Sequence, residues 1–231
     1  SSSDQQWYYY ASAQEGLVLV STISGQKIRL PEMDIVEILS SKENSNSVWI
    51  KTNGSAGFME LVKVQMQQGV AESSTIVKEG NAVIDKVTVG KEYVQYERYL
   101  GADRWVNFVD HNGLPLAEVK APDCCAIVSA KYEAATQTVA VVLQSPVTRR
   151  MNWTFDLRKK EWLTEDASKT KIARNPGLDM MIVNGERFVT RYDSYRSKDG
   201  TMIPIRVTYK EGTELNGKAC LLYTSDAADE E

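Results

Sequence analysis

The sequence predicts an all-β protein whose short antiparallel strands are grouped in sheets of four. No window of a dozen residues carries apolar side chains at the i, i+3, i+4, i+7 spacing of an amphipathic helix without glycine or β-branched runs. Short runs rich in β-branched and aromatic residues, bounded by turn residues, occupy the chain instead. Comparable sets of runs recur about every 40 to 50 residues, which is the spacing of β-propeller blades.

The predicted strands follow one another as a meander. Glycine, asparagine and aspartate mark the turns between them, for example at residues 53–54 and 111–113. In a later strand Trp153, Phe155 and Leu157 alternate with polar residues, which predicts one buried face. The other predicted strands are residues 7–12, 17–23, 27–30, 35–40, 48–52, 58–64, 83–89, 93–100, 104–110 and 116–120.

Sets of four strands are predicted to begin at Ile35, near Val83 and near Cys125. Two of these sets match in detail, because residues 48–64 and 139–157 each show a strand, a turn of small residues and a second strand. About three strands precede Ile35, so we expect the chain to begin inside a blade. Three to four blades cannot close a ring, and we therefore expect a fragment or a protein that needs partners.

The charge balance and hydropathy exclude two classes of partner. The 231 residues include 31 acidic and 27 basic side chains, a net charge of −4, and the isoelectric point is about 5.3. Such a chain lacks the basic surface that binds a phosphate backbone, so no nucleic acid partner is expected. The longest apolar stretches fall far short of the roughly 20 residues that cross a bilayer, so no membrane partner is expected.

The cysteines and the N-terminus leave the compartment open between cytoplasm and periplasm. Three cysteines, two of them adjacent at Cys124 and Cys125, do not form the evenly spaced framework of a disulfide-rich secreted domain. The pattern favours two small strand residues that face opposite sides of a sheet. The first residues carry neither a signal peptide nor a methionine, so we expect the true start to be missing.

No catalytic residue is predicted in this chain. Serine hydrolysis on an α/β-hydrolase fold needs a Gly-x-Ser-x-Gly elbow, and the sequence contains none. The nearest look-alike, residues 54–57, has the wrong spacing and is predicted to be a hairpin turn. The single histidine, His111, lies in another turn and is predicted to be a surface residue rather than a general base.

No metal ligand or cofactor-binding residue is predicted either. One histidine and two adjacent cysteines do not make a zinc ligand set, and no glycine-rich phosphate loop follows a strand. The aromatic residues could line a ligand groove, but at strand spacing they favour core positions. These aromatic residues are Tyr8, Tyr9, Tyr10, Trp49, Trp105 and Trp153.

The pattern changes after residue 165. Residues 165–174 are polar and lysine-rich, and residues 175–179 predict a loop. Residues 187–209 then alternate as a clean hairpin around the turn 197–201. This hairpin has an aspartate-glycine turn and a proline in its second strand, and residues 210–217 add lysine-glycine and then leucine-asparagine-glycine.

This combination resembles the point where the propeller of prolyl oligopeptidase-family serine peptidases meets their α/β-hydrolase domain. Residues 175–179 are similar to the family's proline-glycine-aromatic-aspartate linker, with Leu178 in the aromatic place. Residues 50–61 and 87–97 are similar to the oligopeptidase B branch. The resemblance covers most of residues 35–218.

The resemblance implies a partial propeller of about three to four blades over residues 1–180, and a linker with the first strands of a peptidase domain over 181–219. Residues 220–231 look like translated sequencing adapter, and the competing interpretation is an acidic tail. A catalytic serine, acid and histidine are then expected beyond Ala219. The missing peptidase domain would pack on the propeller, and short peptides would be the substrate.

Two functions remain open from the sequence. In the first, the chain is part of a serine oligopeptidase whose propeller gates access to the catalytic domain and which is inactive as given. Cleavage after arginine or lysine follows from the oligopeptidase B resemblance, and cleavage after proline is the alternative. In the second, the chain is a non-enzymatic β-propeller that binds proteins. The hydrolase-like hairpin favours the first.

Overall fold

The structure is a computed structural model that describes residues 7–12, 16–21, 24–30, 33–39, 47–55, 57–67, 70–101, 103–122, 124–164, 170–175 and 178–219. Within these ranges the regular secondary structure consists of strands, and no helix occurs. This confirms the all-β prediction. A search of the same ranges for a long apolar helix that could span a membrane finds none.

The described residues form five antiparallel sheets in which consecutive strands are neighbours. Sheet 1 contains β1 (Trp7–Ser12), β2 (Gly16–Ser21) and β3 (Lys27–Arg29). Sheet 2 contains β4 (Ile35–Leu39), β5 (Ser47–Asn53), β6 (Met59–Gln67) and β7 (Val70–Val77). Sheet 3 contains β8 (Val83–Val89), β9 (Val94–Leu100), β10 (Asp103–Val109) and β11 (Pro115–Lys120). Sheet 4 contains β12 (Ala126–Glu133), β13 (Thr138–Gln144), β14 (Met151–Asp156) and β15 (Glu161–Thr164). Sheet 5 contains β16 (Thr170–Asn175), β17 (Leu178–Val183), β18 (Glu186–Arg196) and β19 (Met202–Lys210).

Successive sheets pack face to face because apolar residues alternate to both sides of their strands. On β5, Val48 and Ile50 pack against sheet 1, whereas Trp49 packs against sheet 3. The interface between sheets 1 and 2 is formed by Leu19, Leu30, Val48, Ile50, Val62 and Val64. The interface between sheets 2 and 3 is formed by Trp49, Leu61, Ile76, Ile84, Val94, Tyr96 and Val109.

The interface between sheets 3 and 4 is the largest buried cluster of the described residues. It includes Val106 and Phe108 of β10 together with Tyr132 and Trp153 of sheet 4, and Met181 of β17 joins it from sheet 5. Each sheet is therefore held by its neighbours along the chain, as in the blades of a propeller.

The predicted burial of one face of β14 is confirmed. Trp153 is 6% exposed, and Phe155 and Leu157 are half-buried against the same cluster. Trp162 of β15 lies edge-on to both Trp153 and Phe155. Strand β7 is the outer strand of sheet 2, and it is not among the strands that the apolar pattern predicts. Its residues 72–75 are polar and exposed.

Part of the polar segment and loop predicted over residues 165–179 belongs to sheet 5. Residues 170–175 form β16 and pair with β17, with Asn175 opposite Leu178. Residues 175, 178 and 179 are therefore strand residues rather than the predicted loop residues, and residues 176–177 between the two strands lie outside the described residues. The hairpin β18–β19 continues the same sheet, and the predicted division at residues 180/181 falls within β17. Residues 165–169 and the predicted tail 220–231 lie outside the described residues.

Candidate functional site

The first strands of sheets 2, 3 and 4 are each an edge strand of their own sheet, and we call these three strands together the inner edge (β4, β8 and β12). In the described part of the chain each of these strands pairs with one neighbour, the second strand of its sheet. β4 and β8 also lie close to each other. The proximity of β4 and β8 agrees with propeller blades, whose inner strands surround a central channel.

Each strand of the inner edge carries a β-bulge. The register with the following strand shifts between Ile35 and Glu37, between Asp85 and Thr88, and at Val128. A bulge leaves an extra residue outside the ladder and changes the direction of the neighbouring side chains. The side chains of Val36, Lys86 and Val128 are exposed at these positions.

Ion pairs connect the inner edge to the second strands. Lys51 Nζ of β5 lies 3.1 Å from Glu37 Oε2 of β4, and the lysine side chain is 10% exposed whereas that of Glu37 is 52% exposed. Lys86 Nζ of β8 lies 3.7 Å from Glu97 Oε2 of β9. The inner edge therefore presents both signs of charge beside its bulges.

Glu97 of β9 is a buried acid beside the inner edge. It is 8% exposed, and the strand register places it opposite Val106 on the face toward sheet 4. Burial raises the pKa of Glu97, and the ammonium of Lys86 partly opposes that rise. Lys86 itself has φ of 35°, a value that favours glycine, so the bulge holds this lysine in a strained conformation. Strain beside a buried carboxylate is a pattern typical of functional sites.

The serine look-alike forms a turn contact. Ser55 Oγ donates to Glu79 Oε1 at 2.8 Å on the exposed side of the β5–β6 turn. Gly54 N donates to the Phe58 carbonyl, which closes the turn. This agrees with the hairpin turn predicted for residues 54–57.

His111 lies in the predicted turn but not on a freely exposed surface, which corrects the prediction. Asp110 Oδ1 accepts from the N–H groups of Asn112 and Leu114, each at 2.8 Å, and so closes the turn. These two bonds, Leu114 first, lower the pKa of Asp110. The turn directs the half-buried imidazole into the interface between sheets 2 and 3.

The imidazole of His111 bridges groups from both sheets. Its Nε2 lies 2.9 Å from the Gly90 carbonyl oxygen, and its ring centroid lies 5.5 Å from that of Trp49. Lys63 Nζ of β6 donates to the His111 carbonyl at 3.3 Å and lies 5.6 Å from the Trp49 ring centroid. These contacts give His111 a structural role.

The aromatic residues divide between core and surface. Trp49 is fully buried and Trp153 nearly so, as the strand spacing predicts. Trp105 is half-buried between the cations of Arg98 and Lys120, whose charged groups lie 5.3 and 5.8 Å from its ring centroid. Among the three tyrosines of β1, Tyr8 is 45% exposed.

The adjacent cysteines are not strand residues that face opposite sides, so that prediction is wrong. Cys124 and Cys125 lie in the connection between β11 and β12. Both are 2% exposed and both belong to the cluster between sheets 3 and 4. Outside a strand the alternation of side chains does not apply, so consecutive residues can point into one core. Among the described residues no group of three potential metal ligands occurs.

The inner edge carries the exposed charged side chains of Glu37 and Lys86 beside its bulges. Open backbone groups at a strand edge bind extended chains through main-chain hydrogen bonds, and Lys86 and Glu37 add charge contacts. The bulges and the buried Glu97 could not be foreseen from the sequence, because neither a glycine nor a break in the apolar pattern marks them.

Comparison with known proteins relates the fold to peptidases. No protein-family model and no curated protein matches the chain. A solved prolyl endopeptidase matches with a TM-score of 0.56 and 15% identity over 86% of this chain and 28% of that chain. Prolyl oligopeptidase B from Galerina marginata matches with a TM-score of 0.55 and 18% identity over 93% and 31%. The same enzyme bound to a 35mer hydrolysis and macrocyclization substrate matches with a TM-score of 0.53 and 16% identity over 90% and 32%.

These similarities concern the fold. The described fold matches part of the β-propeller of prolyl oligopeptidases, which confirms the predicted partial propeller. The chain spans about a third or less of the length of the solved proteins.

Proposed function

We propose that this chain is the propeller portion of a serine-type oligopeptidase, in which the sheets gate the access of short peptides to a catalytic domain. The observation that carries the proposal is the fold match to prolyl endopeptidases over most of the chain. The sequence contains no Gly-x-Ser-x-Gly elbow. We therefore assign the nucleophile, the oxyanion hole and the general base to a domain outside these 231 residues.

The hairpin of β18 and β19 supports a neighbouring domain. The pairing of β18 with β17 ends at Arg191, whereas its pairing with β19 continues to Arg196. The distal half of the hairpin thus extends beyond the sheet, with Tyr195 and Met202 each about half exposed. We propose that residues 181–219 lead into the peptidase domain and that this domain packs on the propeller.

The inner edge supports the gating role. Its bulged strands combine exposed backbone groups with Glu37 and Lys86, which suit an extended peptide better than a folded protein. A folded protein offers few free strand segments to such an edge. Selection for short, unfolded substrates would follow from this geometry.

The test uses the uninterrupted reading frame of the parent gene. The full-length product should hydrolyse short fluorogenic peptides, lose activity with a serine-directed inhibitor, and leave folded proteins intact. Paired substrates ending in arginine and in proline distinguish the two specificities, with cleavage after arginine or lysine expected. The matched control replaces the serine of the elbow with alanine.

The chain as given should show no peptide hydrolysis above buffer. Turnover that a serine-directed inhibitor abolishes would contradict the assignment of the nucleophile. A parent frame without a serine elbow would remove the peptidase function and leave the alternative, a non-enzymatic propeller that binds proteins. The fold alone is compatible with that alternative, because propellers serve many functions.

A further inference from the structure

The adjacent thiols of Cys124 and Cys125 form a pair. Their Sγ atoms lie 3.6 Å apart, which is hydrogen-bonding distance for sulfur. Both side chains point into the cluster shared by sheets 3 and 4, and each residue is 2% exposed. The Cys125 N–H donates to the Pro122 carbonyl at 2.8 Å, so a short turn sets the direction of the pair.

The distance between the two sulfurs permits their reaction with each other. A disulfide needs a sulfur separation of about 2.05 Å, so closure requires a movement of roughly 1.5 Å. The pair lies in a connection rather than in a ladder, so this movement breaks no strand pairing. Burial of both thiols keeps large thiols such as glutathione away, whereas a hydroperoxide is a much smaller reagent.

We propose that Cys124 and Cys125 form a redox modification site that a hydroperoxide converts into a vicinal disulfide. One thiolate attacks the peroxide oxygen, the O–O bond breaks, and a sulfenic acid and water form. The second sulfur attacks the sulfenic sulfur, the S–S bond forms, and a second water leaves. Two thiols and one hydrogen peroxide thus yield one disulfide and two waters.

Adjacency should make this disulfide easy to reduce. Consecutive Cα atoms lie about 3.8 Å apart across a trans peptide, below the roughly 4.4 to 6.8 Å of ordinary disulfides. Strained disulfides belong to the labile, regulatory class. A mild dithiol should therefore return the pair to its reduced form.

The test uses the full chain carrying Cys220→Ser, so that the two adjacent cysteines are the remaining thiols. After treatment with hydrogen peroxide, denaturation and alkylation, the tryptic peptide of residues 121–131 should lack both alkyl groups and have lost two hydrogens. Dithiothreitol before alkylation should restore both groups. The extent of closure should not depend on protein concentration, because the reaction is intramolecular.

The matched controls are Cys124→Ser and Cys125→Ser in the same background. Neither variant should lose two hydrogens, and near-ultraviolet circular dichroism checks that each retains its packing. A second measurement uses phenylarsine oxide, which should protect both thiols of the parent from alkylation but not the lone thiol of either variant. Full alkylation of both cysteines after peroxide, or a disulfide between two chains, would overturn the proposal.

Discussion

The two interfaces of sheet 3 are built in different ways. The interface with sheet 2 is closed by a turn, in which His111 meets Trp49 and Gly90 and Gly113 approaches Ile76 of β7. The interface with sheet 4 is closed by apolar and aromatic packing. Its rings of Tyr93, Phe108 and Tyr132 lie within 5.3 to 6.0 Å of one another.

The interface between sheets 2 and 3 therefore adds directional contacts to its apolar cluster, whereas the interface between sheets 3 and 4 depends on packing alone. The contact of His111 with the Gly90 carbonyl and the close approach of Gly113 to Ile76 tolerate little change of shape between sheets 2 and 3. Packing between sheets 3 and 4 is non-directional and scales with the apolar area removed from water. Substitutions at the two interfaces should therefore differ in size and in kind.

The largest effect is expected from Phe108→Ala. Phe108 is fully buried and contacts rings from both sheets, so truncation leaves a cavity. The free energy of unfolding should fall by about 3–5 kcal/mol, measured by urea denaturation. Phe108→Leu keeps most of the side-chain volume and should lower the free energy of unfolding by a smaller amount. Equal losses for the two variants would show that volume does not control this interface.

The next largest loss of stability is expected from Gly113→Ala. Gly113 has φ of 88°, and a Cβ would lie 2.6 Å from the Ile76 carbonyl oxygen. The matched control is Gly212→Ala, where φ is 84° and no atom lies within 4 Å. The control should lower the free energy of unfolding by about 1–2 kcal/mol, because alanine is strained in a left-handed backbone conformation. Gly113→Ala should lower it clearly more, as measured by urea denaturation. Equal losses of stability for the two variants would contradict a role for the close approach of Gly113 to the Ile76 carbonyl oxygen.

Substitution of His111 separates its two contacts. His111→Phe keeps a ring beside Trp49 and removes the contact with the Gly90 carbonyl, whereas His111→Ala removes both. We expect losses of about 1 kcal/mol for the phenylalanine variant and more for alanine, measured by thermal denaturation at neutral pH. A phenylalanine variant as stable as the parent would assign the role to ring packing alone.

The smallest effect concerns pH. Burial raises the pKa of Glu97, so the folded chain retains this proton at pH values where the unfolded chain has released it. Stability contributed by this group therefore falls as pH rises from the ordinary carboxyl range through the raised folded pKa. Glu97→Gln should be more stable than the parent at neutral pH, and the gain should vanish in acid. Glu72→Gln, at an exposed position, controls for the lost charge.

Much of the fold follows from local chemistry that the sequence displays. The hairpin turn after β18 could be predicted because Asp199 and Gly200 supply what it needs: Asp199 Oδ1 accepts from Thr201 N at 2.9 Å, and Gly200 has φ of 93°. The buried face of β14 follows from the alternation around Trp153. Strand periodicity is a short-range signal, and these elements depend on short-range interactions.

The candidate site could not be predicted because its features depend on pairing between strands. The bulge at Lys86 exists only relative to the register with β9, and Glu97 is buried only because sheet 4 covers its face. The burial of His111 and of the cysteine pair could not be predicted for the same reason, since neighbouring sheets determine it. The residues of a turn motif predict the turn itself, but they do not predict which residues of a neighbouring sheet pack against it.

The bulges of the inner edge also affect how copies of the chain meet in solution. A regular strand edge is a template on which another chain can add its own strand, and this is a common route to aggregation. At Val36, Lys86 and Val128 the ladder is interrupted, so a second edge cannot form a long uninterrupted set of hydrogen bonds there. The bulges thus act against the addition of a strand from a second copy along the inner edge.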